Sequence, residues 1–328
     1  MATKLYTSSL SSKIFLLMFS LFRKSEELPT VPEWADFFNP KEYSKFSKSL
    51  DKYFNSKNMD YQPGERYVEV TSNDFGFNQL GLSNVAQLCK LEGIRKSDRI
   101  VRNHFEGLIR SHKYDIEFNK IVEDFDNVRQ YIGVRLYNDD YIDQVGKELV
   151  LTNNLAPGIH EMLIFDLPES VTSVQPQQIE NWGLTIDELF DIGRSNIKSK
   201  YKFKISKESF EEFKIWFVQA DHFFTPNILL EMSQHSEMIG TNGSLIGAPH
   251  RHCVIIYPIE SLDVVKAINK LIPTIHGMNE EGPGSLSSKL YWYQDDQMIE
   301  LPYDVVDNQL KFQPPESFLN MLNSMGQE

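Results

Sequence analysis

A chain of 328 residues with 41% apolar, 24% charged and 12% aromatic side chains carries material for a large core, which excludes disorder for most of its length. Its 46 acidic residues against 33 lysines and arginines leave a net charge of −13, which repels phosphate backbones and argues against nucleic acid as a partner. Two cysteines, Cys89 and Cys253, cannot build a disulfide framework or a cysteine metal site, and read as free buried thiols of a reducing compartment.

Residues 1–31 form a tail. Its apolar run, residues 14–22, is shorter than the ~20 residues of a membrane span, and Arg23-Lys24 follows in place of a small-residue cleavage site. The first reading takes Met18 as the start, so that residues 1–17 are not translated; a peripheral membrane anchor and a signal peptide rank after it. Residues 32–128 read as a helical N-terminal region. Phe37, Phe38, Tyr43, Phe46, Leu50, Tyr53 and Phe54 recur at helical steps, with Pro40 in the first turn and Asn39 as cap. Tyr67–Val70 reads as a short strand. Residues 80–89 and 100–112 read as helices, the second capped by Ser97-Asp98.

From residue 129 to 328 strands and helices intermix. Residues 131–137 and 160–166 alternate as strands, joined by a polar connection over residues 138–158. A turn at 167–170 leads to a short strand at 171–174. A helix opens at Gln175-Pro176 and stops at Gly183. Thr185, with Glu188 three residues on, is a capping box that starts a second helix, whose apolar face is Leu184, Leu189, Ile192 and Ile197. Residues 213–218 read as a buried strand, 226–234 as a helix, Gly240, Gly243 and Gly247 as turn markers, and 250–257 as a strand or strand pair. An amphipathic helix over 261–272 uses Leu262, Val265, Ile268, Asn269 and Ile272, before a loop at 277–288. A hairpin around Asp295-Asp296 and a terminal helix at Glu316–Met325 close the chain. The expected fold is α+β: a helical N-terminal part, then a mixed, largely antiparallel sheet with packed helices.

Several segments carry a resemblance. They are Val134-Arg135-Leu136, Ile164-Phe165-Asp166, Glu180-Asn181-Trp182-Gly183-Leu184-Thr185, Asp187-Glu188-Leu189 with Asn196, Val218-Gln219-Ala220-Asp221-His222, and Ala248-Pro249-His250-Arg251 with Val254-Ile255-Ile256. Over roughly residues 135–305 the chain resembles the bacterial YtpQ-like family, a domain of unknown function. The resemblance implies a soluble cytoplasmic α+β protein and brings no activity, cofactor or site. The chain departs from the family at His252, where an acid is usual, and in its longer aromatic N-terminal helices.

Chemistry concentrates at His250-Arg251-His252-Cys253. On a strand, His250 and His252 share a face, and with Asp221 or His222 they could approach a metal. Two histidines without a fixed third ligand are weak evidence, so no metal and no cofactor is assigned. Arg135, Arg251 and His250 could instead converge on an anion, since a guanidinium grips carboxylate or phosphate bidentately. The structural alternative pairs each arginine with an acid such as Asp166 or Asp221. Glu212-Phe213-Lys214 resembles the Glu-x-Lys of metal-dependent nucleases, a pattern that strand alternation also produces by chance. No phosphate loop, dinucleotide glycine motif, zincin motif or nucleophile elbow is present. The leading expectation is a non-catalytic cytosolic binding protein with a protein partner or a small anionic ligand. An enzyme on a small anionic or phosphorylated substrate ranks second, and a nuclease third. The candidate ligand-binding residues are Arg135, Asp221, His222, His250, Arg251 and His252.

Overall fold

The computed structural model describes residues 28–168, 170–306 and 309–327. The apolar run at 14–22 and the choice between Met1 and Met18 lie outside the described residues. No helix among the described residues is long and apolar enough to cross a membrane.

The first core gathers residues 35–109. Helix α1 (Pro40–Ser56) starts as its sequence predicts: Asn39 Oδ1 accepts from the Lys41 and Glu42 N–H groups, and Glu42 accepts from the Asn39 N–H. Its apolar stripe packs on the long helix α3 (Ser97–Phe118), where Tyr53 and Phe105 stack at 5.1 Å. Between them lie α2 (Ser83–Glu92) and an antiparallel sheet of β1 (Tyr61–Pro63), β2 (Tyr67–Val70) and β3 (Gln79–Gly81). The region is therefore not wholly helical. Leu80, expected in a helix, sits in β3 opposite Val68. Ser97 and Asp98 are not caps either; both lie inside α3, where Asp98 binds Lys45 and Lys52 of α1 at 2.7 and 2.6 Å.

Helix α3 runs out of this core, and Phe118 at its end packs on Phe165 at 4.8 Å in the next one. After the short α4 (Phe125–Val128), β4 (Ile132–Asn138), β5 (Thr152–Ala156), β6 (Ile159–Asp166) and β7 (Val171–Ser173) form one sheet with β6 paired to the other three. The segment read as a polar connection contains α5 (Asp139–Val145) and β5. Its Thr152-Asn153-Asn154 start has no apolar alternation, and it becomes a strand because β6 offers an edge. Past α6 (Pro176–Ile179), Thr185 Oγ1 and Glu188 close the expected capping box of α7 (Ile186–Lys200). Trp182 donates to the Val122 carbonyl at 3.1 Å, and α7 lies on β4 through a glycine contact. A Cβ on Gly193 would stand 2.9 Å from the Gly133 carbonyl carbon, so only glycine permits this approach.

The second sheet has the order β13-β12-β10-β11-β9-β8, built from β8 (Lys204–Phe210), β9 (Phe213–Gln219), β10 (Ser244–His250), β11 (Cys253–Pro258), β12 (Leu290–Gln294) and β13 (Gln297–Glu300). One face carries α8 (Val264–Glu281) and, beyond the β14 (Tyr303–Val306) and β15 (Gln309–Phe312) hairpin, α9 (Glu316–Met325). The other face packs on the helix expected over 226–234, which is a 3-10 helix spanning Thr225–Gln234. Helix α8 runs past Gly277 and contains Pro273. It buries Val264, Ala267, Leu271 and Ile275 with Ile268 and Ile272, leaving Leu262 and Val265 46% exposed. All described strand pairs are antiparallel. The chain is α+β, with helices against antiparallel sheets.

Candidate functional site

Strand alternation places Arg135 and Tyr137 on the same face of β4. The Arg135 guanidinium carbon lies 4.8 Å from the Tyr137 ring centroid, and Tyr137 stacks on Tyr141 of α5 at 4.2 Å. Arg251 comes from elsewhere. His250 pairs with Cys253 across the ends of β10 and β11, so Arg251 and His252 form the turn of a hairpin rather than successive strand positions. This corrects the expectation that the two histidines share a strand face. The turn is strapped by the loop after α8: the Arg251 N–H donates to Gly284 at 3.0 Å, the Leu286 N–H donates to Pro249 at 2.9 Å, and Ser285 pairs with His250. Gly284 has φ +74°, and a Cβ there would stand 2.4 Å from Arg251 Cδ. Its bare backbone therefore seats the arginine side chain.

Phe223 joins the two arginines. Its ring centroid is 4.3 Å from the Arg251 guanidinium carbon and 5.6 Å from that of Arg135. Both arginines line one cleft of about 300 Å³ with Asn84, Tyr137, Asp140, Tyr141, Gln144 and Ser285. Asn84 belongs to the first turn of α2, so the first core contributes to a cleft otherwise built from residues beyond 134.

Among the described residues neither guanidinium has an ion-pair partner, and both Nε atoms are buried without a hydrogen bond. The acids expected as structural partners are elsewhere. Asp166 binds Lys200 and the Tyr201 hydroxyl, and Asp221 lines a different cleft. Burial, then the neighbouring Arg135 charge, pushes Arg251 down to about 10. Burial also pushes the Tyr137 hydroxyl up to about 12 against the opposing pull of Arg135. His104 of α3 is pushed down to about 4 by burial and by the Arg251 charge. Two like charges held this way cost free energy. The cation–π contacts on Phe223 and Tyr137, each ~0.5–2 kcal/mol, offset only part of it.

The histidines line a different cleft, although the His252 ring also meets Phe223 edge-on at 5.4 Å. His250, His252 and Asp221 line a second cleft of about 500 Å³ with Lys204 and Cys253. Burial, with His252 and Arg251 nearby, holds His250 at about 4, and burial with Arg251 lowers His252. The His252 N–H donates to His250 Nδ1 at 3.3 Å, and the Ala220 carbonyl accepts from His252 Nδ1 at 3.2 Å. His222 is occupied by backbone at both nitrogens, Nδ1 accepting from the Phe224 N–H at 3.2 Å and Nε2 meeting the Lys202 carbonyl at 3.1 Å. Among the described residues no three His, Cys, Asp or Glu side chains are grouped to hold a metal. Glu212 lies in the β8–β9 turn and Lys214 is exposed, in contact with Ser209. Cys89 and Cys253 are free and buried.

The structure thus unites Arg135 with Arg251 and sets Asp221, His222, His250 and His252 apart from their cleft. Phe223, Tyr137, Tyr141, Asn84 and Gln144 were missed from the sequence. Tyr137 had a usable signal, two residues after Arg135 on a strand; Asn84 and Gln144 had none. No protein-family model, curated protein or solved structure matches this chain.

Proposed function

We propose that this protein binds a small anionic ligand between Arg135 and Arg251, as a binding protein rather than a catalyst. The observation that carries the reading is the pair of guanidinium groups without an acidic partner, each with a buried Nε lacking a hydrogen bond. A folded chain retains such a costly arrangement when an external group completes it. The cleft position, between elements of two different cores, is where ligand sites concentrate. His250, the acid–base candidate of the enzymatic alternative, opens onto the neighbouring cleft with Asp221, which favours binding over turnover. The acidic chain and unpaired thiols suit a cytosolic setting. A YtpQ-like lineage fits the segments named above and supplies no chemistry.

Calorimetric titration with inorganic phosphate, citrate and a neutral polyol at low ionic strength tests the reading. An anion should bind, weaken as salt is raised, and lose affinity in both Arg135→Gln and Arg251→Gln. Absence of heat with every anion, or binding indifferent to both substitutions, refutes it.

A further inference from the structure

We infer that the ligand of this cleft is a dianion, a phosphomonoester or a short dicarboxylate, rather than a monoanion; the inference rests on the reading of the cleft as an anion site. Two observations point the same way, and a third opposes them only weakly. First, two full positive charges meet on one phenylalanine ring, and among the described residues neither has an ionic partner. A monoanion bridging them neutralises one charge and leaves the other desolvated. A dianion neutralises both.

Second, the cleft receives the start of α2 through Asn84, and no side chain caps that end of the helix. A helix start carries partial positive charge, and Asn84 brings it to the lining. Third, Asp140 is the carboxylate lining the cleft, and it lies exposed on the rim, in the first turn of α5, without an ion pair to either arginine. It repels a dianion more than a monoanion, but solvent at its exposed position screens that repulsion, and it leaves the charge of the arginine pair in place.

Size limits the class further. A volume of about 300 Å³ is the lower end of ordinary ligand pockets, ~300–1,000 Å³, which suits a compact acid and not a nucleotide. The exposed Tyr141 ring, 38% accessible at the mouth, offers an apolar surface for the uncharged body of the ligand.

The test compares ligands of nearly one shape and different charge, titrated into the full chain near neutral pH. Methyl phosphate is set against dimethyl phosphate, and succinate against monomethyl succinate. At least one dianion is expected to bind about tenfold or more tightly than its monoanionic partner. A gap in the phosphate pair identifies a phosphomonoester, and a gap in the succinate pair a dicarboxylate. In Arg135→Gln the gap should shrink to about threefold or less. Asp140→Asn removes a lining charge without touching the arginines and should strengthen the dianion about threefold or more and its monoanionic partner less, which keeps the test open should Arg135→Gln not fold. Monoanions binding as tightly as both dianions would overturn the inference and leave the anion site standing. No binding by any of the four would overturn both.

Discussion

Replacing Arg251 by methionine should stabilise the empty protein and abolish its anion binding. Arg251 is held down from the ordinary guanidinium value to about 10, which corresponds to about 3 kcal/mol stored against the charged form in the fold. Because the folded state lowers the value of a base, the unfolded chain holds this proton more tightly; the full cost is therefore present below pH ~10 and is relieved only above it. Methionine keeps most of the apolar stem against Gly284 and Phe223 and removes the charge. It forfeits the cation–π contact, ~1–2 kcal/mol at such a site. The net expectation is a gain of about 1–2 kcal/mol, read as a raised urea midpoint with unchanged slope at neutral pH. With a saturating anion the order should reverse, since ligand at about 100 times its Kd adds about 2.7 kcal/mol to wild type and nothing to the variant. An Arg251→Met protein about 1 kcal/mol or more less stable than wild type without ligand would refute the reasoning, because the guanidinium would then be structurally satisfied.

Gly284→Ala should weaken anion binding about tenfold while costing about 1–2 kcal/mol of stability, since it strains a left-handed residue and collides with Arg251 Cδ; unchanged affinity by calorimetry would remove Gly284 from the seating of the arginine. Gly193→Ala should destabilise by about 1–3 kcal/mol despite better helix propensity, because α7 must lift from β4; denaturant unfolding at or above wild-type stability would contradict that contact. His104 and His250 are both held near 4 against an ordinary 6.5, so the unfolded chain binds more protons between those values. Stability should be full above pH ~6.5 and fall as pH drops toward 4, by up to about 3 kcal/mol per histidine. His104→Leu should flatten the fall, measured as the difference in unfolding free energy between variant and wild type across that range; an unchanged pH slope would show that His104 is not buried neutral.

Much of the fold was legible because its signals are local. The boxes at Asn39–Glu42 and Thr185–Glu188 satisfy N–H groups within one turn, and the helices start where the sequence places them. The hairpin at Asp295-Asp296 follows from residues that tolerate positive φ, here 50° and 58°. Errors fell where a neighbour decides. Thr152–Ala156 is a strand because β6 lies beside it, Leu80 because Val68 does, and α8 is longer and rotated because its inward face must fill the sheet. The candidate site divided along the same line. Arg135 and Arg251 were recognised as residue types able to hold an anion, whereas their lack of acidic partners depended on where Asp166 and Asp221 came to rest.

By itself the sequence determined the composition of an α+β protein, its helix starts and turns, and a short stock of anion-binding and titratable side chains, because these depend on residues a few positions apart. Only the tertiary structure decided that Arg251 sits at a hairpin tip and meets Arg135 across Phe223 while the neighbouring histidines line a different cleft. That outcome depends on a strand, a turn, a glycine loop and a helix start brought together from distant parts of the chain, and local periodicity carries no information about which distant side chains will be left without a partner.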